Sequence, residues 1–394
     1  MQRKIALKII YKTIEDSSYT NLLMRTELDK LKPIQRPFVT NLVNGVLKNY
    51  YYLEYQHLDL YKKTNLKNTI ILSMAVYEKF FLNEKDYVVF NEYVDLGESK
   101  FDKKFLNAVL HNIKELREPN KYYIKYSLPE WIYNLLSKQY SNDELKKILE
   151  NYSRVPSVYY HINSNKADFN KLKELEIENI DNKIYTSKHN LINTNEFKEG
   201  YFYIQDINAS KLVDELCLNE NDIFLDACSA PGSKLFNALE IVKPENAYAN
   251  DINEKRVGLI KERAENLGYL NVNYSCIDSC KLHEYFDKKF DKILLDVPCS
   301  GLGVIGRRND IKFHITPNSL DELQVIQSQI LESASKIIKN NGQILYSTCT
   351  LNKKENDKQI DSFLSKHTDF RLIRKKTIIN LDGDLFFLAL IKKV

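Results

Sequence analysis

The carboxyl-terminal half of the chain repeats one pattern, in which a short apolar run is followed by a loop and usually by a helical stretch. The apolar runs after residue 198 are DIFLDA, NAYANDI, NVNYSCID, FDKILLDV and GQILYST. Helical stretches such as EKRVGLIKERAENLG and SLDELQVIQSQILESASKIIKN separate most of them. This alternation predicts a mostly parallel, doubly wound α/β sheet. Two final runs, FRLIRK and LFFLALI, are expected to close the sheet as one hairpin.

The amino-terminal third has apolar residues at helical spacing instead. Phe38, Leu42 and Val46 recur four residues apart, and Ile70, Leu72, Ala75, Val76 and Phe80 give a second example. Glycine is nearly absent from this region and proline is rare, which favours long helices between short turns. At 394 residues the chain is also long for a single domain. An all-α bundle is therefore predicted for residues 1–124.

The region between these two parts has a mixed pattern. It follows a break at Glu118-Pro119-Asn120, and Ser127 before Leu-Pro-Glu suggests a helix start. Further on, the strand-like run SVYYHIN is followed by the helix-like run KLKELEIENI. We therefore predict three domains: the helical bundle over 1–124, a small α+β linking domain over 125–197 and the α/β domain over 198–394.

The net charge of +4 lies in the helical third. Residues 1–120 carry 19 Lys and Arg against 15 Asp and Glu, whereas the remaining residues carry 38 of each sign. This excess favours a surface for a polyanion, although a solvated helical surface in a lysine-rich chain gives the same count. The start MQRKIALKII lacks the pattern of a signal peptide, and no apolar stretch approaches the roughly 20 residues that span a bilayer. A cytoplasmic protein without membrane contact is expected.

Two of the six cysteines stand in a catalytic context. No cysteine belongs to a CxxC pair or a His cluster, so a metal site is not expected. Cys299 in DVPCSGLG and Cys349 in YSTCTL each follow an apolar run, at the strand ends where ligands bind in open α/β sheets. Asp296 precedes Cys299 in the same motif. Cysteine is more often a small buried hydrophobe, but two thiols beside an acid favour a sulfur nucleophile.

The first strand–helix turn predicts a binding loop. It reads LDACSAPGSK and is neither G-x-G-x-x-G nor a P-loop, but its small residues allow a ligand close to the backbone. Asp251 follows the second strand, where a carboxylate grips ribose hydroxyls, and Asp278 follows the third strand, within reach of an adenine amino group. The segment 301–306 satisfies G-x-G-x-x-G formally. It lies after the fourth strand with no helix opening directly, which argues against a dinucleotide site.

These motifs resemble a known family. DACSAPGSK, NDINEKR, LLDVPCSGLGVIGRRNDIK and YSTCTL resemble successive motifs of the RNA (cytosine-5) methyltransferases that use S-adenosyl-L-methionine. GYFYIQD and LDGDLFFLALIKK resemble the segment before the first motif and the closing hairpin of that family, and SVYYHIN resembles the start of its linking domain. RPFVTNLVNGVLKN and KKFLNAVLHNI resemble the NusB RNA-binding domain. The combination resembles the Sun (Fmu) group, the RsmB-type bacterial 16S rRNA methyltransferases, over essentially the whole chain.

The resemblance implies a NusB-like bundle, a small linking domain and a Rossmann-like methyltransferase domain. It implies methyl transfer to C5 of a cytosine of 16S ribosomal RNA, cytosine 967 in the RsmB type. The expected substrate is free or early-assembly rRNA, with no obligate protein partner. The S-adenosyl-L-methionine site would consist of Cys228, Ser229, Ala230, Pro231, Gly232, Ser233, Lys234, Asp251, Asp278 and Asp296. The chain departs from the family pattern at His111 and His161, where Arg is usual, and at Ser229 and Ser233, where Ala and Gly are more usual.

The resemblance also assigns the catalytic roles. C5 of cytosine is too weak a nucleophile to take a methyl group from a sulfonium, and thiolate attack on C6 activates it. Cys349 would attack, Cys299 would assist product release, and Asp296 would act at N3 of the base and at the methyl-donor site. The reverse order of the thiols stays open, since the Pro-Cys thiol attacks in DNA cytosine-5 enzymes. The alternatives are a tRNA cytosine-5 methyltransferase and a non-catalytic NusB-like RNA-binding factor.

Overall fold

The protein divides into two compact units. A computed structural model describes residues 1–16, 18–166, 172–181 and 183–394. The helical unit comprises Met1–Ser153 and Ile305–Ile315, and the sheet unit comprises Arg154–Val304 and Thr316–Val394. The domain limits at 124/125 and 197/198 stay predictions. Among the described residues, no helix has both the length and the apolar character needed to cross a membrane.

The helical unit is all α, which confirms the prediction from its apolar spacing. Its α-helices are Gln2–Glu15, Thr20–Leu28, Arg36–Tyr55, Leu66–Phe81, Asp86–Val94, Lys100–Asn112, Tyr122–Lys125, Glu130–Ser137, Asn142–Ser153 and Ile311–His314. Polar side chains cap the start of some helices. At the helix Lys100–Asn112, Oγ of Ser99 accepts a hydrogen bond from N of Asp102 at 3.0 Å, as is usual for a serine N-cap. The long helix Arg36–Tyr55 buries its apolar stripe in the core of the unit.

The segment Ile305–Ile315 belongs to the helical unit although it follows the Cys299 motif in sequence. Lys312 is buried there, and its Nζ donates to the backbone carbonyls of Lys48 at 2.8 Å and of Ser127 at 2.7 Å. Burial lowers the pKa of Lys312 well below its ordinary value. The ring of Phe313 lies against two tyrosine rings of the same unit. Hydrogen bonds and ring contacts therefore anchor this segment among the amino-terminal helices.

The formal G-x-G-x-x-G at 301–306 does not open a helix. A 3₁₀ turn, Leu302–Val304, falls within it, and the next α-helix is the four-residue Ile311–His314. The expectation that no helix follows this motif directly is confirmed. A dinucleotide turn would instead lead from the first strand of the sheet straight into a helix.

A small antiparallel sheet belongs to the sheet unit. Its strands are β1 (Tyr159–Ile162), β2 (Ile177–Asp181), β3 (Ile184–Ser187) and β4 (Phe202–Ile204), in the order β2-β3-β1-β4. The strand predicted in SVYYHIN is confirmed as β1. The helix predicted over 171–180 is wrong at its carboxyl end, because those residues form β2; Lys171 lies outside the described residues. Pairing of Glu178 with Thr186 of β3 overrides the helical propensity of this Glu-rich run.

The main sheet has seven strands. They are β5 (Phe224–Asp226), β6 (Ala247–Asn250), β7 (Asn273–Ser275), β8 (Phe290–Asp296), β9 (Ile338–Thr348), β10 (Phe370–Ile378) and β11 (Phe386–Lys393). Their order is β10-β11-β9-β8-β5-β6-β7, with β5 to β9 parallel and β11 antiparallel to both neighbours. The predicted parallel sheet and closing hairpin are confirmed. β6 and β7 lie on one side of β5, and β8 and β9 lie on the other, so the strand order reverses between β5 and β8. Ligands are expected at such a point, where these two strands end.

Helices cover both faces of the main sheet. The α-helices of the sheet unit are Asn195–Lys198, Ile207–Asp214, Ser233–Ala238, Glu254–Asn266, Leu282–Tyr285, Pro317–Ile337 and Asp357–Lys366. Along β8, Leu294 belongs to one apolar cluster and Ile293 and Leu295 belong to another. Alternate residues of a strand face opposite sides, so each cluster is the core on one face. The doubly wound arrangement is thereby confirmed.

Two helical glycines provide a test of the packing. A Cβ on Gly45 would lie 2.0 Å from Cζ of Tyr77, whereas a Cβ on Gly258 would meet nothing within 4 Å. Alanine is favoured over glycine in a helix by about 1 kcal/mol, so Gly258→Ala should stabilise the sheet unit by about that amount. Gly45→Ala should destabilise the helical unit by about 1–3 kcal/mol because the Tyr77 ring must move. Thermal unfolding measures both effects, and a raised midpoint for Gly45→Ala would contradict the packing described.

Candidate active site

The parallel strands bring the predicted motifs to one edge of the main sheet. β5 runs into the loop 227–232, β8 ends at Asp296, and β9 ends one residue before Cys349. Asp296 and Ser347 are paired across β8 and β9. Because parallel strands share one carboxyl-terminal edge, the two thiol turns leave the sheet from neighbouring positions.

The two thiols are in contact. Sγ of Cys299 lies 3.3 Å from Sγ of Cys349, within hydrogen-bonding distance for sulfur. The hydrogen bond with Cys349, together with burial, raises the pKa of the Cys299 thiol well above its ordinary value. The thiolate is the reactive form of cysteine, so this shift disfavours the reactive form of Cys299. Either sulfur can donate the hydrogen bond that joins the two thiols.

A glycine allows the backbones of the two thiol turns to cross. N of Gly303 donates to O of Cys349 at 2.9 Å, and O of Gly303 accepts from N of Leu385 at 3.0 Å. A Cβ on Gly303 would lie 2.1 Å from O of Leu385 and 2.8 Å from O of Cys349. Neither distance leaves room for a side chain, so the close approach requires glycine.

Asp296 lies beside a lysine of the predicted cofactor loop. Its Oδ2 lies 2.6 Å from Nζ of Lys234, and its Oδ1 accepts a hydrogen bond from Oγ of Ser347 at 3.1 Å. Burial alone would lower the pKa of Lys234, but the charge and hydrogen bond of Asp296 raise it, with a further contribution from Cys349. Lys234 therefore stays protonated, and the pair combines a carboxylate with a proton donor at the end of β8.

A cavity of about 190 Å³ opens at this edge of the sheet. It is lined by Cys228, Ala230, Asp251, Ile252, Arg256, Asp278, Ser279, Asp296, Pro298, Ile326 and Ile330. The predicted residues Ser229, Pro231, Gly232, Ser233 and Lys234 belong to the same loop but are not among the described lining residues. Carboxylates that accept hydrogen bonds and isoleucines that offer apolar contact suit the ribose hydroxyls and the base of an adenosine.

The two carboxylates after β6 and β7 are held in place by backbone hydrogen bonds. Oδ1 of Asp251 accepts from N of Asn253 at 3.0 Å, and Oδ2 accepts from N of Ala230 at 3.3 Å. Oδ1 of Asp278 accepts from N of Cys280 at 3.0 Å. Each carboxylate oxygen can accept a further hydrogen bond, so both side chains remain able to bind a hydroxyl or an amino group.

Sequence reasoning did not single out two buried carboxylates of this region. Asp226 ends β5, and neither of its oxygens makes a hydrogen bond of ordinary geometry to the described residues. Burial, followed by the charge of Asp296, raises the pKa of Asp226 to about 7. The position of Asp226 at the end of the first parallel strand is the sequence feature that could have identified it as a site residue. Glu355 is fully buried, but it precedes a helix within a polar run, so no sequence feature marks it as a site residue.

Two family models match the sequence. The model described as 16S rRNA methyltransferase RsmB/F matches residues 213–383. The model of the NusB family matches residues 1–115. The first covers the thiol turns and the cofactor loop, and the second covers most of the amino-terminal helices.

Similar proteins and structures cover more of the chain than either family model does. The chain is 30% identical to the probable ribosomal RNA small subunit methyltransferase B of Bacillus subtilis (strain 168), over 93% of this chain and 89% of that protein. It is 32% identical to ribosomal RNA small subunit methyltransferase B of Yersinia enterocolitica, over 68% of this chain and 67% of that protein. The crystal structure of PH0851 matches with a TM-score of 0.79 at 20% identity, over 99% of this chain and 98% of that one. NSun6 from Pyrococcus horikoshii matches with a TM-score of 0.60 at 18% identity, over 68% and 98%.

The structural matches establish the fold, and the sequence matches establish the family. The identity to the Bacillus subtilis protein extends over nearly the full length of both chains, so it includes the helical third as well as the thiol turns. We conclude that the chain belongs to the RsmB/F family of 16S rRNA methyltransferases and is an S-adenosylmethionine-dependent RNA methyltransferase with an amino-terminal NusB domain.

Proposed function

We propose that the protein methylates C5 of cytosine 967 in 16S rRNA through a covalent bond between Cys349 and C6 of the base. The observation that carries this proposal is the 3.3 Å contact between the two sulfurs. A covalent reaction at cytosine needs one group to attack and another to assist the departure of the enzyme. The relatives are named for the small ribosomal subunit, which favours rRNA over tRNA. We further propose that the substrate is free or early-assembly rRNA in the cytoplasm.

The covalent bond makes C5 reactive. A thiolate that bonds to C6 turns the C5–C6 unit into an enamine, in which C5 is a carbon nucleophile. S-adenosylmethionine supplies the electrophilic methyl group. A base then takes the proton from C5, the electron pair of that C–H bond re-forms the C5–C6 double bond, and the sulfur of Cys349 leaves as a thiolate. The target base has to be unstacked from the RNA to reach these groups.

The proton on Cys299 supports the assignment of the two thiols. Its hydrogen bond with Cys349 and its burial raise the pKa of Cys299. A protonated Cys299 can donate a hydrogen bond to a thiolate on Cys349, which stabilises the attacking sulfur. The same hydrogen bond stabilises that sulfur again when the bond to C6 breaks. Cys349 is therefore the nucleophile in this proposal, and Cys299 assists release.

Asp296 and Lys234 supply a proton at the base. Attack on C6 moves negative charge toward N3 of the cytosine, where a proton donor lowers the energy of the adduct. Nζ of Lys234 stays protonated only 2.6 Å from Oδ2 of Asp296. The pair can therefore hold a proton at N3 without an unpaired charge in the site.

The cavity beside the loop 228–234 is the proposed cofactor site. Asp251 would accept hydrogen bonds from the ribose hydroxyls, and Asp278 would accept one from the adenine amino group. Ile252 and Ile326 line the same cavity and offer apolar contact to the base. Asp226, at the end of β5, is a further buried carboxyl group beside this loop.

The helical unit is the proposed site of general RNA binding. A cavity of about 670 Å³ in this unit has Lys4, Lys8, Lys12 and Lys67 among its lining residues, together with Asp16 and Glu98. The first three recur every four residues on the helix Gln2–Glu15 and so lie on one face. Lys4 and Lys12 make no ion pair with the described residues. Ammonium groups of this kind bind phosphates and release counterions.

Removal of two of these lysines should weaken rRNA binding in a salt-dependent way. We expect Lys4→Ala/Lys12→Ala to reduce the slope of log affinity against log salt by about 2, because each phosphate contact contributes about 1. Titration of the full-length protein with 16S rRNA at several salt concentrations measures the slope. Lys104→Ala, which is exposed outside this cavity, is the control. Equal slopes for the wild type and the double variant would exclude this cavity as an RNA site.

Loss of the Asp251 carboxylate should weaken cofactor binding. We expect Asp251→Ala to reduce the affinity for S-adenosylmethionine by about 1–3 kcal/mol, because the ribose hydroxyls lose a buried acceptor. Calorimetry on the full chain measures the change. Asp287→Ala removes an exposed carboxylate of the same unit and should bind as the wild type does. Unchanged affinity in Asp251→Ala would overturn the ribose assignment.

The two thiols should give opposite results when each is removed. Cys349→Ala should form no covalent adduct and no methylated product, because C5 is then not activated. Cys299→Ala should attack and methylate, and then remain bonded to the RNA. Denaturing electrophoresis with RNA that contains the target cytosine detects the adduct. Adduct from Cys349→Ala but not from Cys299→Ala would reverse the roles, and adduct from neither would exclude the covalent mechanism.

A further inference from the structure

The carboxylate of Glu355 lies in a buried network that joins the two thiol turns. Its Oε2 accepts hydrogen bonds from N of Ser300 at 2.8 Å and from Nε2 of Gln327 at 3.0 Å. Its Oε1 accepts from Oγ of Ser300 at 2.6 Å and from Nδ2 of Asn352 at 3.1 Å. Ser300 follows Cys299 directly, so one carboxylate receives two hydrogen bonds from the residue next to that thiol.

This network keeps a charge buried without a cation. Glu355 is 0% exposed and forms no ion pair with Lys or Arg among the described residues. Burial of an unpaired carboxylate is costly unless hydrogen bonds replace its water, and four donors meet that need here. Fully satisfied networks of this kind are rigid. A site that needed packing alone would be filled at lower cost by an apolar side chain.

The two thiol turns depend on Glu355 to different extents. Cys349 follows the long strand β9, and its turn is also braced by Asn356, which accepts from Oγ1 of Thr348 at 2.6 Å and donates to O of Thr350 at 2.9 Å. These anchors do not include the carboxylate of Glu355. The turn of Cys349 should therefore keep most of its shape when that carboxylate is removed, since it loses only the hydrogen bond from Nδ2 of Asn352.

The turn of Cys299 is linked to Glu355 at the residues next to the thiol. It lies beyond the end of β8, and O of Pro298 accepts from Nε2 of Gln327 at 3.0 Å. The same Nε2 donates to Glu355, so the residues on either side of Cys299, Pro298 and Ser300, are both linked to one carboxylate. Loss of Glu355 should therefore displace Cys299 more than Cys349.

We propose that Glu355 is a positioning residue for Cys299, which it holds against Cys349 so that the enzyme can be released from methylated RNA. This inference rests on the proposed function, in which Cys299 assists release. The charge of Glu355 acts in the same sense. The pKa of Cys299 is raised mainly by the hydrogen bond with Cys349, by burial and by the charge of Cys349. The charge of Glu355 makes a smaller contribution in the same direction and so favours the protonated form of the releasing thiol.

The test measures covalent adduct and released product separately in the full chain. Glu355→Gln keeps the shape of the side chain but replaces one carboxylate oxygen, an acceptor, by an amide NH₂ group, a donor. Each oxygen of Glu355 accepts two hydrogen bonds, so the new NH₂ group would face two donors. Cys299→Ala is the reference for failed release. Glu240→Gln is the matched control, because Glu240 is a buried carboxylate of the same unit whose partners are His161 and Lys183. The probe is RNA containing the target cytosine, with S-adenosylmethionine.

In Glu355→Gln we expect the rate of product release to fall by about tenfold or more, since a displacement of 1 Å can cost a hundredfold. The rate of adduct formation should change by less than about threefold, and adduct should accumulate as in Cys299→Ala. Glu240→Gln should form no excess adduct even if it lowers the melting temperature. A merely structural role would lower stability without separating these two rates.

Each remaining result decides the matter. Release at the wild-type rate in Glu355→Gln would overturn the proposal, and so would equal loss of adduct formation and release in a folded variant. If Glu355→Gln does not fold, Ser300→Ala decides, because it removes one donor and leaves the carboxylate intact. Adduct accumulation in Ser300→Ala supports the proposal and its absence overturns it. If Cys299→Ala forms no adduct, the proposed role of Cys299 fails first and removes the basis for this inference.

Discussion

The parallel register of β8 and β9 is the constraint on which the active site depends. Backbone hydrogen bonds pair Asp296 with Ser347, so Cys299 and Cys349 leave the sheet side by side within three residues of that pair. A slip of one residue would turn every side chain of a strand to the opposite face. On its other side β9 pairs with β11, with Leu388 opposite Ser347. The carboxyl-terminal hairpin therefore stabilises the register from the side away from the cofactor loop.

The features that were predicted correctly are those with a local pattern in the sequence. Buried parallel strands are short apolar runs, and the helices between them are long, so the type of each element could be recognised. β2 was mistaken for helix because its conformation depends on pairing with β3, which a local pattern does not reveal. The partners of Glu355 come from separate segments near Ser300 and Gln327. Such hydrogen bonds form only once the chain is folded, and no spacing rule anticipates them.

His161 shows how a departure from a family pattern can have an internal explanation. Arginine is usual at this position in the resembled family. The side chain is buried instead, with Nδ1 2.7 Å from Oε1 of Gln205 and Nε2 3.2 Å from Oε1 of Glu240. Its ring stacks on Tyr203 with centroids 4.9 Å apart. The imidazole is thus held by partners inside the sheet unit.

The two units cannot be separated by one cut in the gene. The backbone passes between them at 153/154, 304/305 and 315/316. A polypeptide that began at Arg154 would still carry Lys312 and Phe313 but would lack the carbonyl and ring partners that they have here. It would expose a lysine stem and an aromatic ring that normally lie inside a core. Exchange of residues 1–153 alone with a relative would pair the segment Ile305–Ile315 with helices from another protein. We therefore expect the two units to be inherited together.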